Sequence, residues 1–525
     1  MKKLFLFFFA ITFLITQSCV NKNPVLTIDG GRITGVETSK DGVLIYKGIP
    51  YAAPPIGMLR WREPQPVISW KGVKSADKFG NAAIQNDQTF GGFYQHEFYQ
   101  TGDPERSEDC LYLNIWTPAA GKADRKLPVA MYIHGGGFGF GYGHEKEFDG
   151  EAWAKRGVIL VTINYRLGPL GFFSHPLLTE ENPNHASGNQ GLLDQIFALK
   201  WIKKNIAQFG GDPENITVFG QSAGGVAVGL LCVSPLAKDL ISKAIIMSGG
   251  GVLVSGSSET GRKNYMRDDQ DAAKDMFDYF GLTSLEQMRA YPAKDLLSLS
   301  GKFIAAMLAR SGNTPGRVSP AGQVSASKYM KVNGYQSYNE LMGPMTLKAE
   351  EAASKSLQST HPLLKDTSQG IKRPAQTFRM VNTGPTIDGY SVMGVFTDEV
   401  LAGKLQKIPY MIGYVSNDVA RLTRGIDKFC LINEEMGNKA YAYEFAREVP
   451  GDDAGAFHSG ELWYIFNTLG RSWRPFSRAD SLLSEKMVDC WTNFAKSGNP
   501  NGKGEQVWKP FTKNNRQIFV FNIEK

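Results

Sequence analysis

The chain has 525 residues, a mass of 57.9 kDa, 42% hydrophobic residues and a formal net charge of +7. Hydrophobic content at that level supports a large buried core and excludes a disordered or low-complexity protein. The positive excess is modest for the length and follows no nucleic-acid-binding pattern, so no nucleic-acid partner is expected.

Lys2 and Lys3 precede an apolar run from Leu4 to Ile15. The run is too short to cross a bilayer but suits the core of a signal peptide. Cys19 follows Thr16, Gln17 and Ser18; the small residue before it suits lipoprotein processing, although Thr16 stands where a leucine is usual. Residues 1–19 are therefore expected to be a signal peptide, with Cys19 as a candidate lipid anchor. The mature chain is expected outside the cytoplasm, periplasmic or membrane-anchored, otherwise secreted. No later stretch is long enough for a transmembrane helix. Cys110, Cys232, Cys430 and Cys490 are too irregularly spaced for a disulfide framework or a metal site. No cofactor or metal pattern is present. Cys232 and Cys490 read as small buried hydrophobes.

From residue 24 to the C-terminus the chain reads as one α/β domain. Val25–Ile28 and Gly42–Tyr46 read as an antiparallel pair. Residues 86–106 carry Phe90, Phe93, Tyr94, Phe98 and Tyr99, either a mobile loop lining an apolar site or a packed surface loop. Leu127–Ile133 is a strand running into His134-Gly135-Gly136-Gly137-Phe138. Three glycines after a strand leave backbone N–H groups unshielded, and such a loop can aim donors at one oxygen. Gly157–Ile163 is a continuous apolar run, as in a central parallel strand. Leu192, Ile196, Leu199, Ile202 and Ile206 recur at helical spacing up to Gly210-Gly211.

Ile216–Phe219 is then a strand, and Gly220-Gln221-Ser222-Ala223-Gly224 fits G-x-S-x-G before a run of small residues that reads as a helix. Strand, tight turn with serine at its apex, and helix make a nucleophile elbow. A side chain at 220 or 224 would collide with a neighbouring element. Ala244–Met247 is a further strand. Residues 257–300 read as helical and 300–380 as irregular. Pro409–Tyr414 is a strand, residues 483–496 a helix, and Ile518–Phe521 the last strand. Strands alternating with helices predict a mostly parallel sheet covered on both faces, with the site at the carboxyl ends of strands.

Ser222 needs a base and an orienting acid. On an elbow scaffold the order is serine, acid, histidine. Only His361 and His458 follow Ser222. His361 lies in the irregular stretch; His458 lies in a short loop before an apolar helix and leaves room upstream for a strand bearing the acid. Asp418 sits just after the strand ending at Tyr414. Asp388 is its rival but precedes Gly389 and reads as a turn residue.

These motifs together resemble the type-B carboxylesterases, the carboxylesterase/cholinesterase group of α/β-hydrolases. The resemblance also rests on Gly48–Ala52 with Pro54-Pro55, Ser107–Asn114, Asn164–Arg166, Gly188–Gly191, Gly211–Pro213, Ser248-Gly249, Trp491–Ala495 and Asn499–Asn501. It implies an α/β-hydrolase fold and a serine carboxylester hydrolase acting on a small-molecule ester. Ser222 is the implied nucleophile and His458 the base, with oxyanion donors from the N–H groups of Gly136, Gly137 and Ala223. It further implies buried ion pairs, Arg60 with Glu108 and Arg166 with Asp194. The family usually carries Glu where Asp418 stands. Ala82-Ala83 stand where a partner for Cys110 would fall, so Cys110 is expected to be a free thiol. Gln221 replaces a Glu found in cholinesterases, and the choline-binding tryptophan is absent near Tyr99 and Gln100, so a cationic choline ester is not the expected substrate.

A non-catalytic binding protein on this scaffold would lack the serine. Action on lactones, amides or carbohydrate-linked esters would use the same groups and stays open. The span from Ser248 to Asp388 is longer than usual in the family, with the surplus near 300–380. That stretch holds eleven basic and four acidic residues. It is expected to be a cap, either a solvated cover or a device that draws in anionic esters.

Overall fold

The computed structural model describes residues 23–38, 41–87, 92–99, 104–252, 265–310, 381–418, 423–503 and 508–523. A ten-stranded sheet organises them. Its strands are β1 (Val36–Glu37), β2 (Leu44–Pro50), β3 (Tyr112–Thr117), β4 (Leu127–Ile133), β5 (Ile159–Ile163), β6 (Gly211–Gln221), β7 (Lys243–Met247), β8 (Tyr410–Val415), β9 (Ala440–Phe445) and β10 (Ile518–Phe521). The spatial order is β10-β9-β8-β7-β6-β4-β5-β3-β2-β1. From β10 to β5 all neighbours are parallel; β3, β2 and β1 add an antiparallel margin.

Successive side chains of a strand point to opposite faces, and here both faces are apolar. Val129, Met131, Ile133, Val161 and Val218 enter one core, while Ala130, Tyr132, Leu160, Phe219 and Ile245 enter the other. That explains why these strands are unbroken hydrophobic runs. The principal helices are α1 (Phe93–Phe98), α2 (Gln190–Asn205), α3 (Ala223–Val233), α4 (Met266–Tyr279), α5 (Leu285–Ala290), α6 (Ala293–Arg310) and α7 (Arg478–Ser497). α2 and α3 cover the first face; α7, through Leu483, Met487, Trp491 and Phe494, covers the second. α2 runs into a 3₁₀ turn that stops at Gly210, whose φ of 82° is the left-handed conformation a C-terminal glycine supplies. α7 starts on a capping box made by Ser477 and Asp480.

Three expectations change. Val25–Ile28 pairs with Gly31–Thr34, not with residues 42–46, in a separate three-stranded sheet. The turn lies at Asp29-Gly30, and β2 joins the central sheet beside β3 instead. Helical structure continues to Arg310, past the expected end at 300. α4, α5 and α6 bury Phe277, Met288 and Leu299 against Trp61, Leu170 and Phe173, which makes a third small core. The rest of the proposed cap, residues 311–380, lies outside the described residues, as do the signal segment, Cys19 and His361. Cys490 is only half-buried, whereas Cys110, Cys232 and Cys430 are buried.

Two ion pairs brace the loops around the site. Arg166 Nε and Nη2 donate to Asp194 Oδ2 and Oδ1 at 2.8 and 2.7 Å, and the Arg166 backbone N–H donates to Oδ2 at 3.0 Å. Arg60 Nε and Nη2 both donate to Glu108 at 2.6 Å, and its Nη1 reaches the Tyr291 carbonyl at 2.6 Å. The geometry of both is two-pronged. Removing one partner of the buried Arg166–Asp194 pair strands the other charge, which costs about 3–5 kcal/mol in such sites.

Candidate active site

The elbow forms where β6 meets α3. Ser222 has φ 57° and ψ −124°, a strained conformation for a non-glycine residue, and α3 begins at the next residue. The flanking glycines are required by contact. A Cβ at Gly224 would lie 2.0 Å from the Ile133 carbonyl oxygen, and one at Gly220 would lie 2.6 Å from the Gly224 backbone. Strand β7 supports the turn from the other side, its Met247 carbonyl accepting the Ser222 N–H at 2.9 Å.

The glycine loop after β4 passes directly beside the elbow. A Cβ at Gly135 would come within 3.1 Å of Ser222 Cβ. Gly136 and Gly137 have φ of 100° and 61° and are exposed. The Gly136 carbonyl turns back to accept the N–H groups of Gly139 and Phe140, each at 3.0 Å. His134 anchors the loop: its ring stacks on Tyr165 at 4.4 Å, its carbonyl accepts the Tyr165 hydroxyl at 3.0 Å, and burial pushes its pKa down to about 4. It is a neutral structural group at physiological pH.

Asp418 and His458 come from loops beyond β8 and β9. His458 Nδ1 lies 2.7 Å from Asp418 Oδ1, with the carboxylate side chain fully buried and the imidazole 16% exposed. The two loops are joined by an isolated bridge between Asn417 and Phe457. The far ring nitrogen of His458 faces the side-chain amide of Gln221, which places the imidazole against the elbow. Asp388, the rival acid, accepts the N–H groups of Tyr390, Ser391 and Val392 at 3.0, 2.9 and 2.8 Å. It closes a turn, as its neighbouring glycine suggests.

Three features were not found from sequence. The first is Glu461, fully buried three residues after His458, with both carboxylate oxygens lacking hydrogen-bond partners among the described residues. Burial, and then the charge of Asp418, push its pKa up to about 8. Its signal was an acid opening an apolar stretch.

Glu461 has a testable consequence. Its folded pKa is raised above the unfolded value, so the folded state binds the proton more tightly. The destabilisation is absent at low pH, grows as pH rises through the unfolded carboxylate range, and is complete above about pH 8. Glu461→Gln should therefore show a shallower fall in Tm between about pH 5 and about pH 9 than the parent. Parallel melting curves for the two proteins would sink this assignment.

The second is the short helix α1, which brings Tyr94 under the base loop; the Tyr94 hydroxyl donates to the His458 carbonyl at 3.4 Å. The third is Arg474, fully buried behind it. Its Nε reaches Glu97 at 2.9 Å, and Nη1 and Nη2 reach Asp452 at 2.9 and 3.0 Å. Its guanidinium lies 4.8 Å from the Phe457 ring, one residue before His458. The cluster bolts α1 to the loop that carries the histidine. The described aromatics of 86–106 are thus packed: Phe93 on Phe457 at 4.9 Å and Phe98 on Trp463 at 5.6 Å.

A parallel sheet with an elbow serine after a central strand, a glycine loop beside it, and an aspartate–histidine pair from later strands defines the α/β-hydrolase class. The carboxylesterase family profile matches residues 22–269 and 423–525. A medium-chain fatty acyl-CoA hydrolase precursor of Anas platyrhynchos is 31% identical, over 98% of this chain and 92% of its own. A fumonisin B1 esterase of Sphingopyxis macrogoltabida is 47% identical over 221 residues, 42% of this chain and 38% of its own. The carboxylesterase Est55 of Geobacillus stearothermophilus superposes with a TM-score of 0.67 at 27% identity, over 95% of this chain and 96% of its own. The chain belongs to the carboxylesterase family, and it is a carboxylic ester hydrolase.

Proposed function

We propose that Ser222 is the nucleophile, His458 the general base and Asp418 the acid that orients it. The N–H groups of Gly136, Gly137 and Ala223 form the oxyanion hole. Ser222 Oγ attacks the ester carbonyl while His458 Nε2 takes its proton. The oxyanion is held by backbone donors, and collapse expels the alcohol, protonated by His458. Water then repeats the sequence on the acyl-enzyme, with His458 again accepting and returning the proton, and the carboxylic acid leaves. Asp418 keeps the Nδ1–H tautomer and steadies the imidazolium without becoming protonated. The observation that carries this reading is the 2.7 Å contact of Asp418 with a histidine set against the elbow.

The test is a panel of neutral p-nitrophenyl esters of graded chain length, with an organophosphate as covalent probe. Turnover with one adduct per chain, mapped by mass spectrometry to Ser222, is expected. An unreactive Ser222 would sink the reading. Choline esters are not expected to be good substrates: Tyr99, beside the position of the missing tryptophan, is half-buried with its hydroxyl engaged by Glu145. We also infer export, with lipidation at Cys19. No helix among the described residues is long and apolar enough to cross a membrane. Cys19→Ala should move the esterase from the membrane fraction to the soluble one; unchanged fractionation would remove the lipid.

A further inference from the structure

The two ring nitrogens of His458 have separate partners. Nδ1 faces Asp418 Oδ1 at 2.7 Å, and Nε2 faces the Gln221 side-chain nitrogen at 3.2 Å. An amide nitrogen only donates, so Nε2 is the acceptor and the ring proton sits on Nδ1, directed at Asp418. Gln221 is held for this task. It is the last residue of β6, paired in register with Met247 of β7, and 2% exposed. Its Oε1 lies against the glycine loop, 3.0 Å from where a Cβ at Gly135 would be. The carboxamide is therefore wedged between that loop and the base.

We propose, building on the serine-hydrolase reading above, that Gln221 is a positioning residue: in the resting enzyme its amide N–H caps the lone pair of His458 Nε2, fixes the neutral Nδ1–H tautomer, and yields that lone pair to the Ser222 hydroxyl when substrate enters. The cap has a chemical sign. An imidazolium would point an Nε2–H at an amide N–H, donor against donor, so this contact favours the unprotonated base. The side chain preceding the nucleophile thereby keeps the base free as the solution turns acid.

The groups around the imidazole are few. Asp418 faces Nδ1 from the β8 loop. Glu461 stands beside Asp418 and titrates at about 8, on the alkaline side. Burial raises the phenols of Tyr94, from α1, and Tyr443, from β9, above their usual value.

The experiment is the pH dependence of kcat/KM for a neutral ester in the parent, Gln221→Glu and Gln221→Met, each preparation counted for reactive serine with an organophosphate. A carboxylate at 221 would accept from Nε2–H and favour the imidazolium. Gln221→Glu should move the acid limb to higher pH by about one unit or more. Gln221→Met, which only removes the donor, should move it the same way by less. Acid limbs of both variants superimposed on the parent's would reduce Gln221 to a space-filler and overturn the proposal. If Gln221→Glu fails to fold, the methionine variant decides alone. A parent without a titratable serine would instead overturn the serine reading, so the two failures are distinct.

Discussion

Replacing Ser222 by alanine should lower kcat by about 10⁶-fold, the scale set by loss of a nucleophile that works as one unit with its base. The fold should survive. Alanine fits the space of serine, and the elbow is held by the Ser222 N–H to the Met247 carbonyl and by glycine contacts, none of which needs the hydroxyl. Circular dichroism and melting temperature should match the parent while turnover and organophosphate labelling vanish. Near-native turnover in this variant would refute the assignment of the nucleophile and with it the mechanism.

Asp418→Asn should cost about 10⁴-fold in kcat, the loss seen when the orienting carboxylate of a serine triad is neutralised. The asparagine keeps the size of the group that meets His458 Nδ1 at 2.7 Å but can present an amide N–H there, which favours the wrong tautomer. Substrate binding uses other groups, so KM should change little. Asp388→Asn is the control. Its carboxylate accepts three backbone N–H groups and the Ser391 hydroxyl, so its loss should lower the melting temperature with kcat nearly intact. A mild effect at 418 with a severe one at 388 would exchange their roles.

The chemistry was more legible than the scaffold around it, for physical reasons. An elbow writes itself locally: a β-branched run, glycines where no Cβ fits, and a serine between them. The candidate base and acid were drawn from their order after Ser222. Strand β9 left no such mark. Its sequence, Ala440-Tyr-Ala-Tyr-Glu-Phe445, has no β-branched residue, and its burial depends on β8 and β10 being on either side. The hairpin turn at Asp29-Gly30 was not read from the sequence: Val25–Ile28 was paired with residues 42–46, and only packing chooses between such partners. Glu461 and Arg474 were invisible in role because their effects reside in neighbours distant in sequence, Asp418 for one and Glu97 for the other.

The sheet has one disproportionate connection. Between the end of β7 at Met247 and the start of β8 at Tyr410 the chain spends more than a quarter of its length to move one strand sideways. The carboxylesterase profile ends at 269, inside that excursion, and resumes at 423, beyond β8. The proposed nucleophile, base and oxyanion donors lie in the matched segments, and Asp418 lies inside the gap, just before the match resumes. Most of the proposed reacting groups are thus encoded apart from the longest connection of the sheet. An insertion or deletion in that connection would alter none of the residues of the elbow, the glycine loop or the His458 loop, which are encoded outside it.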